Sequence, residues 1–306
     1  MSILSIETVR KRLTEFHFYF QSFKSIQEYL EIVFVFGGTS ISEFPQTIRE
    51  QFIEYIDSGI SSKFKFVTIE AIYDDLKNFS ALKKGVKAKR TALVELELNA
   101  IKQAYSLIIF PESVGSYTEL GYFTAIDETK EKIYVVNDYN YSGAKSYLNH
   151  IIDVIHNDRE MRALQIDFKS TDNNHKFAEL IHNLEEDYTS HQHTLKFMES
   201  EFFPLVVTYE IIRLMPILSY RQIEDMTREL LDNLEYSKYE KKNFTVLISL
   251  LVVAKVIERF KEEEQTYFRP IDSDYTLVDT NLTERQKATL IKLQLEYGQE
   301  DSRSYI

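Results

Sequence analysis

Four short apolar runs separated by helical stretches constrain this chain more than any other feature. YLEIVFVFGG (29–38), KFKFVTIE (63–70), SLIIF (106–110) and KIYVVN (132–137) are dense in β-branched and aromatic residues and read as buried strands. Helical spacing appears between or after them in EFPQTIREQFIEYIDSG (43–59), TALVELELNAIKQA (91–104), YTELGYFTAIDETK (117–130) and GAKSYLNHIIDVIHN (143–157). Parallel strands cannot be joined by tight hairpins and need crossovers of this kind. The expected class is therefore α/β, a mostly parallel, Rossmann-like sheet flanked by helices. Residues 71–90 read as irregular and increasingly basic. A strand at ALQIDF (163–168) and a helix over 174–188 complete the domain.

Glycine usage divides the chain. Seven of the eight glycines lie at or before Gly143, and the last is Gly298. The expected organisation is an N-terminal helical segment over 1–30, an α/β domain over 31–190 and a mainly helical domain over 191–306. In the last, SYRQIEDMTRELLDNL (219–234) and KKNFTVLISLLVVAKVIERFKEE (241–263) read as helices. TYFRPIDSDYTLVD (266–279) reads as two short strands around a polar turn. Helices followed by a hairpin match a winged-helix pattern, and a generic helical subdomain matches it equally well.

Bulk properties narrow the function. The 306 residues contain no cysteine, which removes disulfides, zinc thiolate sites and a Cys nucleophile. A net charge of −12 argues against a globally basic nucleic-acid binder. MSILSIETVRKRLTEF puts charges ahead of any long apolar run, unlike a secretory signal. VLISLLVVAKVI (246–257) is shorter than the ~20 residues of a membrane span and reads as a buried helix. A cytoplasmic protein with no membrane partner is expected. No metal site is expected, because no cluster of convergent oxygen ligands and no HExxH spacing is present. GxGxxG, P-loop and GxSxG motifs are absent as well.

The chemistry concentrates at strand ends. Gly37-Gly38 follow the first strand, where glycine lets a sugar or phosphate approach the backbone. Asp74 and Asp75 follow the second. The densest motif is IIFPESVGSYTELGYF (108–123), a strand, a small-residue turn and a helix start. Ser116 and Glu119 form S-x-x-E, a capping box that would make Glu119 an ordinary helix-start residue. The same geometry suits catalysis. N–H groups at a helix start would keep a carboxylate ionised. Cleavage of a C1′–N bond develops positive charge on the sugar, which an ionised carboxylate stabilises or captures. Ser113, Gly115 and Ser116 are then candidates to hold ribose hydroxyls or phosphates. Glu97 supplies a second acid. Glu95 lies about 200° from it around a helix of 3.6 residues per turn, so one of the two faces the site. The basic run KKGVKAKR (83–90) reads as a solvated loop, and His182, His191 and His193 as surface residues.

These segments resemble the nucleoside 2-deoxyribosyltransferase-like fold and, more narrowly, retron-associated effector proteins. The resemblance rests on VFVFGG, EAIYDDL, ELELNAIKQA, IIFPESVGSYTELGYF and KSYLNHIIDVI in that order, across about residues 31–157. It implies a catalytic nucleophile at Glu119 and an acid that handles the base at Glu97. Glu97 stands where the transferases often have Asp, and Asn149 is a candidate for an Asn that completes their site. It further implies N-glycosidic cleavage of NAD, or transfer of its ADP-ribose, with NAD as substrate and no cofactor. The implied partners are a reverse transcriptase with its RNA–DNA hybrid (msDNA), docked by the C-terminal helices, and further copies of the chain in a homo-oligomer. Two other readings stay open. One is a nucleoside 2-deoxyribosyltransferase exchanging bases on deoxyribonucleosides. The other is a non-catalytic nucleotide sensor or nucleic-acid adaptor.

Overall fold

The structure, a computed structural model, describes residues 6–26, 30–39, 46–82, 93–141, 147–158, 162–190, 200, 202–215, 217–236, 244–262 and 265–303. In chain order the elements begin α1 (Ile6–Gln21), β1 (Phe23–Ile26), β2 (Leu30–Phe36), α2 (Ile48–Asp57), β3 (Lys65–Val67), α3 (Ile69–Leu82) and α4 (Leu93–Gln103). They continue β4 (Ala104–Ile109), α5 (Val114–Thr124), α6 (Asp127–Lys130), β5 (Ile133–Asp138), α7 (Tyr147–Asp158), β6 (Ala163–Ile166) and α8 (Asn174–Ser190). The last group is α9 (Phe203–Leu214), β7 (Leu218–Ser219), α10 (Tyr220–Asn233), α11 (Phe244–Val253), β8 (Ile257–Glu262), β9 (Gln265–Pro270), β10 (Val278–Thr280) and α12 (Glu284–Arg303). Two compact units result. One comprises Tyr29–Asp74 and Gly85–His193; the other comprises Met1–Glu28, Asp75–Lys84 and Thr194–Ile306.

The first unit holds a five-stranded sheet in the order β3-β2-β4-β5-β6, with every neighbouring pair parallel. Both faces are buried, which is why β2 and β4 read as unbroken apolar runs. Val33, Val35, Ile108 and Phe110 pack toward Phe52 of α2 and Phe177, Leu180 and Leu184 of α8. Phe36 meets Phe123 of α5 with ring centroids 5.2 Å apart. Each strand and crossover helix expected for this unit has a counterpart among the described residues, but the helix expected over 117–130 is two, α5 and α6, and the strand expected over 63–70 is β3 at Lys65–Val67, with α3 beginning at Ile69. A further difference is the stretch after β3, where α3 replaces the irregular segment expected from residue 71 onward.

The second unit is helical with small antiparallel sheets. β8 and β9 form a hairpin to which β7 adds, while β10 pairs with β1. Three expectations are corrected here. Residues 23–26 are a strand rather than the end of a helix. The strands within 266–279 do not pair with each other; β9 pairs with β8, and β10 with β1. The helix expected over 241–263 stops at Val253. Lys255 there takes φ 55°, with Val256 N–H donating to Leu251 O and Lys255 N–H to Val252 O. That pair of bonds is a Schellman stop with lysine where glycine is usual, and the chain re-emerges as β8. No helix among the described residues is long and apolar enough to cross a membrane.

A buried charge network knits this unit together. Glu210, on α9, is 0% exposed. Its Oε2 accepts from Tyr19 Oη at 2.8 Å and Arg213 Nε at 2.7 Å. Its Oε1 accepts from Thr276 Oγ1 and the Leu277 N–H, both at 3.2 Å. Arg213 also donates to Tyr19 Oη at 2.7 Å.

Candidate active site

The site lies where β2, β3 and β4 end. After β4 the chain turns through Phe110–Glu112 into α5, and its cap differs from the expected one. Ser113 is the N-cap and Ser116 the N3 partner, each side chain bonding the other's backbone N–H. Ser116 is almost fully buried and additionally accepts from the Glu112 N–H at 3.1 Å. The S-x-x-E reading is thus corrected: the helix starts one turn earlier, and Glu119 is not a capping residue. The hydroxyls of Ser113 and Ser116 are taken up by the cap. Gly115 sits in the first turn, where an added Cβ would stand 3.7 Å from Ser113 Oγ.

Glu119 therefore projects from the second turn of α5, half-buried. Burial, and the negative charges of Glu97 and Glu70, push its carboxyl up to about 7, while Arg49 acts in the opposite direction. The sequence-based expectation of a fully ionised carboxylate at neutral pH is corrected accordingly. Glu119 lies past the reach of the helix-start N–H groups, among other acids. Glu97 is also raised by burial, opposed by a hydrogen bond from Tyr73 Oη at 3.1 Å. Tyr73 is raised in turn by burial and by the Glu97 charge. Arg49 donates to Glu70 Oε1 at 2.8 Å and to Thr39 Oγ1 at 2.7 Å.

The structure thus brings Glu119 and Glu97 together and adds Glu70, Tyr73 and Arg49, which the sequence reading passed over. Glu70 and Tyr73 lie one turn apart on α3, in the EAIYDDL segment; knowing that segment to be helical would have separated them from their neighbours. Asp74 is exposed on the same helix. Asp75 is engaged elsewhere, both its oxygens lying 2.7 Å from the same Arg259 nitrogen. Asn149, on α7, accepts from the Asn137 side-chain amide of β5 at 3.4 Å. The side chain of Glu95, the run 83–90, His191 and His193 lie outside the described residues. Among the described residues no group of three or more His, Asp or Glu side chains is placed to hold a metal ion.

Gly37 and Gly38 face the protein's own side chains. A Cβ on Gly37 would lie 2.7 Å from Arg49 Cβ and 2.9 Å from Glu112 Oε1. Because Arg49 Cβ is tied to the α2 backbone, Gly37→Ala is expected to cost about 1–3 kcal/mol by shifting the start of α2. Urea unfolding measures this. Gly121→Ala, with no atom within 4 Å of the added Cβ, serves as the neutral-to-stabilising control.

A family model described as STM3845 retron effector protein matches residues 45–259, more than half of the chain. No curated protein matches it.

Proposed function

Because the chain belongs to the STM3845 retron effector protein family, we propose that it is the effector of an antiphage retron system and that its α/β unit cleaves N-glycosidic bonds, with NAD as substrate. The observation that supports this reading is Glu119. It is a half-buried carboxylate at the carboxyl edge of a parallel sheet, held near neutrality beside Glu97 and Glu70.

In this reaction the C1′–N bond of NAD breaks and its electron pair leaves with nicotinamide, which departs neutral and requires no proton. The positive charge left on the ribose is met by the ionised carboxylate of Glu119, through electrostatic stabilisation or a covalent ester. Water then adds to C1′, breaking the C1′–O bond and freeing the Glu119 carboxylate where the ester has formed. The water's proton passes to Glu97, whose raised carboxyl and fixed bond from Tyr73 suit it to that task. The products are nicotinamide and ADP-ribose. Retron reverse transcriptase and its RNA–DNA hybrid would hold the effector inactive through the mainly helical unit, whose helices and hairpin follow a winged-helix order. The effector would act as a homo-oligomer.

A second reading draws on the raised carboxyl of Glu97. A carboxyl raised by burial gives up its proton less readily than an exposed one, and a protonated acid beside the base could donate to a departing purine, as base exchange on deoxyribonucleosides requires. Incubating the purified chain with NAD, and separately with deoxyinosine plus adenine, decides between the two. Nicotinamide release without formation of deoxyadenosine is expected. Deoxyadenosine formation with NAD left intact would assign the transferase instead.

A further inference from the structure

In an open sheet of order 2-1-3-4-5, ligands bind in the crevice between the ends of the first and third strands. Within this sheet those strands are β2 and β4. An anion in such a crevice is received by backbone N–H groups of the turn and by the start of the following helix. Here the chain's own Glu112 takes them. Its Oε1 accepts from the Gly38 N–H at 3.0 Å and the Arg49 N–H at 3.1 Å, and its Oε2 from the Ile48 N–H at 2.8 Å. The carboxylate lies directly over the turn, 2.9 Å from where a Gly37 Cβ would stand.

The surroundings carry the same sign. Glu119 interacts electrostatically with Glu97 and Glu70, and the nearby cation Arg49 is bonded to Glu70 and Thr39. A phosphate brought to the crevice would meet the Glu112 carboxylate and find its N–H donors already engaged. A cationic ring brought to Glu119 and Glu97 would meet charge of opposite sign, with the attraction strengthened by partial burial.

We propose that Glu112 is a specificity residue: its carboxylate is a built-in anion that keeps phosphate out of the β2–β4 crevice, so that the site receives the cationic base-and-ribose end of a pyridinium N-glycoside and leaves the diphosphate outside. The pyridinium part rests on the function proposed above. The exclusion of phosphate rests on the Glu112 geometry alone.

Inorganic phosphate is the probe, and thermal unfolding of the full chain at pH 8 is the readout, with chloride matching the ionic strength. Phosphate is expected to leave the wild-type midpoint unchanged. It should raise that of Glu112→Ala by several degrees and saturate, because the vacated N–H groups accept it. If Glu112→Ala is unfolded without phosphate, recovery of a cooperative transition on adding phosphate is the same result. An equal response in both proteins, or no response in Glu112→Ala, overturns the proposal. Neither measurement depends on turnover, so a failure of NAD cleavage would strike the functional reading and leave this one standing or falling separately.

Discussion

Glu119→Gln is expected to lower nicotinamide release from NAD about a thousandfold or more, and the same variant is expected to be more stable than the wild type above pH 7. The first effect follows from removing the group that meets the charge on C1′ while keeping its size. The second follows from the placement of Glu119. Its folded carboxyl is raised to about 7 from an ordinary value of 4.5. The folded protein thus binds this proton more tightly than the unfolded chain does. Below about pH 4.5 the group is protonated in both states and costs nothing. As pH rises from there through 7, the folded state must carry an unfavourable charge, and stability falls. Gln carries no such charge. Because Glu119 is partly solvated, screening reduces the effect, and the expected gain at pH 8 is about 1 kcal/mol, shrinking to nothing near pH 4.5. Urea unfolding at the two pH values measures it. A variant that is inactive and also less stable at pH 8 would mark Glu119 as a structural residue.

The second large effect lies far from any chemistry. Glu210→Ala is expected to destabilise the helical unit by about 3–5 kcal/mol, because it strips the largely buried Arg213 of its counter-charge. It also leaves Tyr19, Thr276 and the Leu277 N–H without their acceptor. These partners come from α1, α9 and the segment before β10, so loss of one carboxylate loosens three parts of the unit together. Glu210→Gln keeps the acceptor oxygen but not the charge, and should cost less. A loss below 1 kcal/mol for Glu210→Ala in urea unfolding would show that the network contributes little.

Legibility of the sequence followed the physics of each segment. β2 and β4 are buried on both faces, so their runs of Val, Ile and Phe announce themselves, and the crossover helices between them make the sheet parallel. The C-terminal stops were hidden because they use no glycine. Lys255 and Glu235 take φ 55° and 57°, conformations that residue type alone does not signal. The start of α5 was misplaced because Ser113 and Ser116 are both good caps three residues apart. Burial of Ser116 and a bond from the Glu112 N–H settle the earlier start. Glu119 and Glu97 were legible as acids near a strand end. Arg49 and Glu70 were not, since each reads as a surface charge until two distant helices bring them together. Glu112 was passed over because its partners are backbone N–H groups 63 to 74 residues away.

The most direct test of the central claim is the pH dependence of kcat/KM for nicotinamide release from NAD by the full chain. On the proposed mechanism Glu119 acts ionised, and its carboxyl is raised to about 7 by burial and by Glu97 and Glu70. The rate should therefore rise with pH, pass its midpoint near 7 and level off above it. No release of nicotinamide at any pH, or a rate already at its plateau at pH 5, would contradict a Glu119-centred cleavage of the glycosidic bond.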